Sequence, residues 1–215
     1  YLDQSQRNAI AVKVHPLFKT RGVPGTHDMA LASQVLSSLR SGAPTLIPRF
    51  NKASDNPAPV SQWQKINEQV DVVIFEGWCW GVEAQNDEQL VDPINALEEQ
   101  DETGVWRRFV NKQLLQNYAP LYENMDYWVM LKAPSFECVY AWRLEQEHKL
   151  RASLSAADSS AGSKVMSDEQ VLAFIQYYQR LTEHGLSTLP QKCELVFSLN
   201  TARRITALTE RGVHA

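Results

Sequence analysis

Two short stretches of this chain, residues 70–75 and 127–131, are apolar at almost every position, and that pattern restricts the fold more than any other feature. A strand wetted on one face alternates apolar with polar side chains; one covered on both faces does not. Two further apolar runs, 45–47 and 194–199, are bounded by turn residues in the same way. Helical patterns lie between the runs. Asp28 is placed to cap a helix with Met29, Ala32, Val35, Leu36 and Leu39 at 3,4 spacing, and Gly42 to end it. A second pattern, 105–118, carries Trp106, Phe109, Val110 and Leu114 and is expected to stop before Pro120. Ser135 can cap a third, with Phe136, Val139, Tyr140 and Leu144 leading into the charged run RLEQEHK at 143–149. The fourth opens on the capping box Ser167-Asp168-Glu169-Gln170, with Val171, Phe174, Ile175, Tyr178 and Leu181 following at helical period. Strands alternating with helices predict an α/β fold, a three-layer, mostly parallel sheet with helices on both faces. Ser, Ala and Gly dominate 152–164, which is expected to be a flexible loop between the last two helices.

The length of 215 residues suits one domain, and 44% hydrophobic with 21% charged residues suits a packed core. No apolar run approaches the roughly 20 residues that span a bilayer, and no basic segment followed by an apolar one opens the chain as a signal peptide would. With 21 Lys and Arg against 25 Asp and Glu, the net charge of −4 lacks the basic excess that draws a protein to nucleic acid or an anionic membrane. A small-molecule partner is expected instead. Cys79, Cys138 and Cys193 are odd in number and widely spaced, which points to neither disulfides nor zinc and suits a reducing cytoplasm.

In α/β sheets ligands bind at the carboxyl ends of strands, so polar residues that follow apolar runs are the candidates for chemistry. Glu76 is delivered by 72–75 and followed by Gly77; such a carboxylate can hold Mg²⁺, or it can cap a helix or pair with an Arg. In Arg21-Gly22-Val23-Pro24-Gly25-Thr26-His27-Asp28, a turn feeds a helix N-terminus with Arg, His and Asp crowded beside it. Backbone amides there favour anions and Arg21 adds bidentate reach, although His27 and Asp28 would serve equally as ordinary caps. Lys52 follows the run at 45–47 and either enters the same crevice or is solvated. Arg143, Gln146, Glu147 and Arg151 share one helix beside the 152–164 loop, as a lid over a polyphosphate or as a solvated face. Trp78 and Trp80 flank Glu76 and are placed to wall a pocket. No GxSxG, HExxH, GxGxxG or EF-hand spacing occurs.

Five motifs, RGVPGTHD at 21–28, PRFNKA at 48–53, FEGW at 75–78, WRLEQE at 142–147 and MSDEQV at 166–171, occur in the order found in the glycerate 3-kinase-like P-loop kinases, which this chain resembles from Tyr1 to about Arg204. That family is similar to uridine kinase, phosphoribulokinase and pantothenate kinase. The resemblance implies a P-loop NTPase-like fold in one domain over 1–215, with a lid-like region at 135–183. It also implies ATP and Mg²⁺ as cofactors and transfer of the γ-phosphoryl group to a hydroxyl. Glycerate or a related hydroxy acid is the expected acceptor; a nucleoside or pantothenate-like acceptor, or a non-catalytic binding protein on the same scaffold, are the alternatives. By position, Glu76 is implied near Mg²⁺ and the acceptor. Arg143 is implied over the phosphates, with Gln146 beside it. Tyr1, Arg21, His27, Asp28 and Lys52 are implied around the acceptor.

The chain departs from the family pattern in two ways. GxxxxGK[ST], which cradles phosphates with backbone amides, does not occur in this sequence; Gly162-Ser163-Lys164 lacks a preceding strand and lies out of order. Because Tyr1-Leu2 looks like the end of a segment that follows the P-loop in relatives, the expectation is a missing N-terminal strand and P-loop, unpaired strand edges where that strand belongs, and a proton-accepting acid upstream of Tyr1. Asn51 and Asn200 stand where Asp is expected.

Overall fold

The first helix is set by local chemistry that apolar periodicity does not disclose. Asp3 accepts from the Gln6 amide while the Gln6 side chain accepts from the Asp3 amide, a reciprocal box that starts α1 (Gln4–Lys13). The computed structural model describes residues 1–153 and 165–211. They divide into two compact units, the first made of Tyr1–Pro93 and Gln100–Asn124, the second of Ile94–Glu99 and Met125–Ala215.

In the first unit, Asp28 accepts from the Leu31 amide at 2.9 Å and starts α2 (Met29–Arg40), which ends at Gly42 in the left-handed conformation, φ +70°. The strands that follow are short and antiparallel. β1 (Thr45–Ile47) pairs with β4 (Gln64–Ile66), and β2 (Phe50–Asn51) pairs with β3 (Asn56–Pro57) as a separate hairpin. Residues 70–75 form no strand among the described residues; Val72 and Ile74 are 76% and 86% exposed. The expected strand there is corrected. An apolar run records that a segment is suited to being covered on both faces, and strand pairing needs in addition a neighbouring backbone, which these residues lack.

The rest of the unit is helical. Asp101 accepts from the Trp106 and Arg107 amides, and Arg107 in turn donates to Asp101 and to the Leu90 and Val91 carbonyls, so a buried ion pair starts α4 (Val105–Gln113). That helix does not stop before Pro120. It passes through one π turn (Leu114–Tyr118) into α5 (Ala119–Tyr122), where Pro120 occupies the first turn and its missing N–H is tolerated. Phe18, Val23, Val82, Leu90, Trp106, Val110, Leu114, Tyr118 and Leu121 are buried.

The second unit contains α3 (Ala96–Glu99), β5 (Val129–Lys132), α6 (Phe136–Ser153), α7 (Asp168–Thr188), β6 (Leu195–Leu199) and β7 (Ile205–Glu210). β5 runs parallel to β6, and β7 joins the other edge of β6 antiparallel. The fold is therefore α/β with mixed pairing, and the expectation of a mostly parallel sheet is corrected: only β5–β6 is parallel among the described residues. The hairpin strands escaped the sequence reading because two-residue and polar strands carry no apolar run. Phe136, Val171 and Ile175 form a core joined by Val139, Tyr140, Leu144, Met166 and Phe174, so the apolar faces read from the sequence are the ones that pack. The Ser167–Gln170 capping box is present. Residues 154–164, most of the expected loop, lie outside the described residues.

Candidate active site

Thr26 builds the turn at 21–28. Its fully buried hydroxyl accepts from the Gly22 amide at 2.8 Å and donates to the Val23 carbonyl at 2.7 Å, while its own carbonyl takes the Leu2 amide at 2.9 Å. Gly22 and Gly25 adopt φ +109° and +99°, which only glycine enters freely. The folded turn sets His27 against the Tyr1 ring, with centroids 4.8 Å apart, and Tyr1 in turn against Phe50 at 5.0 Å. The Arg21 guanidinium lies over both Tyr1 and Phe50, at 5.9 and 5.5 Å from the ring centroids.

Asp55, in the β2–β3 turn, forms ion pairs with both Arg21 and Arg7. Arg7 is buried and also donates to the Leu2 and Lys19 carbonyls, which joins the chain start, the 21–28 turn and the hairpin. Neither Asp55 nor Arg7 was found from sequence. Both lie in polar contexts of no periodicity, and their partners are tens of residues away. Asn51 closes the same turn: its Oδ1 accepts from the Ala53 and Ser54 amides at 2.9 and 3.3 Å. Asn200 does likewise before β7, accepting from Ala202 and Arg204 at 3.0 Å each. Lys52 sits exposed at the tip beside Asn51.

On its other side His27 meets Tyr118, Nδ1 to hydroxyl at 2.5 Å. Burial lowers the His27 pKa to about 4, so the ring is neutral near pH 7. Burial likewise raises Tyr118 and Tyr122 above the ordinary phenol value. From Tyr118 a run of aromatic contacts passes through Trp80, 6.3 Å away, to Phe75, whose centroid lies 4.6 Å from that of Trp80. Glu76 follows directly and is exposed. The first unit thus gathers Tyr1, Arg21 and His27 and places Lys52 on the adjoining hairpin, whereas Glu76 is separated from that cluster by Tyr118, Trp80 and Phe75. Asp28 is a helix cap, the ordinary role weighed for it from sequence.

Arg143 and Gln146 belong to the second unit and touch each other, Nη1 donating to Oε1 at 2.8 Å. Arg143 also pairs with the buried Glu147 and lies 5.8 Å from the Phe174 centroid. Its Nε is buried with no acceptor among the described residues. An open cavity of about 480 Å³ at the start of α7 is lined by Arg151, Val165, Ser167, Asp168, Glu169 and Gln170 and contains none of the predicted site residues.

No protein-family model matches the chain. It is 33% identical over 190 residues to the uncharacterized kinase mug58 of Schizosaccharomyces pombe, a match covering 84% of this chain and 64% of that protein. It is 31% identical over 181 residues to the chloroplastic D-glycerate 3-kinase of Arabidopsis thaliana, covering 80% of this chain and 36% of that one. The solved structure of D-glycerate 3-kinase from Cryptococcus neoformans var. grubii superposes with a TM-score of 0.75 at 25% identity, over 98% of this chain and 77% of that one. In sequence and in fold the chain is similar to these glycerate 3-kinase-like kinases. It spans 64% and 36% of the two curated relatives. Of the five motifs that resemble the family, the first unit holds those at 21–28, 48–53 and 75–78, and the second holds those at 142–147 and 166–171.

Proposed function

We propose that the protein is an ATP-dependent kinase that transfers the γ-phosphoryl group to a hydroxyl of D-glycerate or a related hydroxy acid. The observation that carries this reading is likeness, in sequence and in fold, to proteins named D-glycerate 3-kinase. The cluster in the first unit supports the acceptor class: Arg21 and Lys52 offer positive charge to a carboxylate, and the rings of Tyr1 and Phe50 keep the Arg21 guanidinium in place. His27, neutral near pH 7, contributes a hydrogen bond to the acceptor and not a charge.

Among the described residues no group of three or more His, Cys, Asp or Glu side chains gathers to hold a metal. Mg²⁺ in phosphoryl-transfer sites usually takes one or two carboxylates and completes its shell with phosphate oxygens and water, and the single exposed carboxylate of Glu76 fits that donor set. Bound Mg²⁺ supplies neutralisation of charge on the phosphate oxygens. Arg143 and Gln146, neighbours on α6, are assigned to the phosphates as parts of a closing lid. The P-loop architecture of the whole protein, its small-molecule partner and its place in a reducing cytoplasm belong to the same reading; the three free thiols of Cys79, Cys138 and Cys193 are in keeping with the last.

Protein expressed from the complete natural reading frame, incubated with ATP, Mg²⁺ and a panel of hydroxy acids, nucleosides and pantothenate, should release ADP with D-glycerate or a close hydroxy acid. Release with nucleosides or pantothenate alone overturns the acceptor, and release with none leaves a binding protein. Glu76→Gln should lower kcat about a hundredfold or more, the scale of a charge acting at the reacting centre. Unchanged turnover would remove Glu76 from the mechanism.

A further inference from the structure

The contact between Tyr118 and His27 admits two arrangements of protons. Either the imidazole donates from Nδ1 to the phenol oxygen, or the phenol donates to an unprotonated Nδ1. The surroundings decide between them. Tyr118 is 5% exposed, and burial raises its pKa, so the phenol keeps its proton near pH 7. A buried phenol O–H of this kind needs an acceptor. Among the described residues the acceptor within reach is His27 Nδ1. Donation by the phenol satisfies the Tyr118 O–H and the lone pair of Nδ1 together; the reverse leaves the buried O–H without a partner. The ring is further fixed by Tyr1 at 4.8 Å on one side and by the edge-on Tyr118 ring at 5.9 Å and 81° on the other.

We propose that Tyr118 is the positioning residue for His27: its hydroxyl holds the imidazole as the Nε2–H tautomer, which presents a neutral hydrogen-bond donor to an oxygen of the hydroxy-acid acceptor. The inference rests on the acceptor site proposed above and deepens it. A ring kept neutral, with Nδ1 engaged, neither takes the proton of the attacking hydroxyl nor offers a full positive charge. It orients the acceptor beside Arg21. Atom Nε2 has no hydrogen-bond partner among the described residues, which leaves its N–H for a ligand.

The test has two arms in the complete natural protein. Nitrogen NMR of the His27 ring at neutral pH should show Nε2 protonated and Nδ1 bare in the wild type, and Tyr118→Phe should shift that population toward a mixture. In steady-state assays Tyr118→Phe should raise the acceptor KM about fivefold, the effect of losing one neutral hydrogen bond, with a smaller change in kcat. His27→Gln, whose amide nitrogen can stand in for Nε2–H, should retain more of the acceptor affinity than His27→Ala. A wild-type ring protonated at Nδ1, or a tautomer indifferent to Tyr118→Phe, overturns the proposal. So do equal losses in His27→Gln and His27→Ala. Should Tyr118→Phe fail to fold, the wild-type spectrum and the two His27 variants still decide. A correct tautomer in a protein that phosphorylates no acceptor counts against the kinase reading alone.

Discussion

Asp55 adopts φ +55°, in the left-handed region that few residues besides Gly, Asn and Asp enter without strain. From there one carboxylate serves Arg7, whose side chain is 1% exposed, and Arg21, which faces the candidate acceptor site. Removing a partner from a buried charge costs more than the pair contributes, because the remaining ion stays desolvated. Asp55→Ala should therefore lower stability by about 3 kcal/mol, and Asp55→Asn, which keeps the turn geometry and an acceptor oxygen, by less. Denaturant midpoints measure both; an unchanged midpoint in Asp55→Ala would dissolve the link between the chain start and the hairpin. At this scale the sequence was readable where one residue acts on near neighbours. Asp28 and Ser167 cap the helices they precede. Asn51 and Asn200 show the limit: two backbone amides each are what their side-chain oxygens receive, and an amide oxygen does this as well as the carboxylate expected there.

At the level of elements, helix α7 is read well by its apolar face and poorly by its polar one. Val171, Phe174 and Ile175 pack against Phe136, Val139 and Leu144 of α6, as helical spacing predicts. The same helix carries Arg180, which is bound by two hydrogen bonds, of 2.8 and 2.6 Å, to Glu98 of α3, a residue 82 positions earlier and 1% exposed. Nothing local in either segment announces the partner, since charge at helical spacing looks the same on a solvated face. Glu98→Gln should cost on the order of 2–4 kcal/mol by removing the charge from one side of a buried pair, read as a lower denaturant midpoint. If Arg180→Met together with Glu98→Met restores the midpoint, the pair sets specificity and not stability. The continuation of α4 through Pro120 has a related cause: proline forbids a helix interior, whereas the first turn after a π segment makes no such demand.

For the whole molecule, the class α/β and the helix faces were legible because they follow from periodicity, whereas the mixed pairing was not. Strands of two or three residues, such as β2 and β4, are defined by what they pair with. Of the candidate residues, His27 and Arg21 each lie against the Tyr1 ring, and Asp55, Arg7 and Tyr118 join them only through long-range contacts that no local pattern discloses. None of the 215 residues falls in a GxxxxGK[ST] cradle. These residues by themselves should therefore bind ATP more weakly than the low-micromolar range, which calorimetric titration checks; tight binding would mean that phosphates are held by other groups of the chain.

The bare stretch from Val72 to Phe75 has a practical bearing on measurements made with these residues alone. Val72, Val73 and Ile74 turn a run of aliphatic carbon toward water without a charged residue among them. Side chains so placed are relieved by meeting their like on another copy. The solubility ceiling of this polypeptide, and the turbidity that will mark it, are therefore written into three consecutive aliphatic residues.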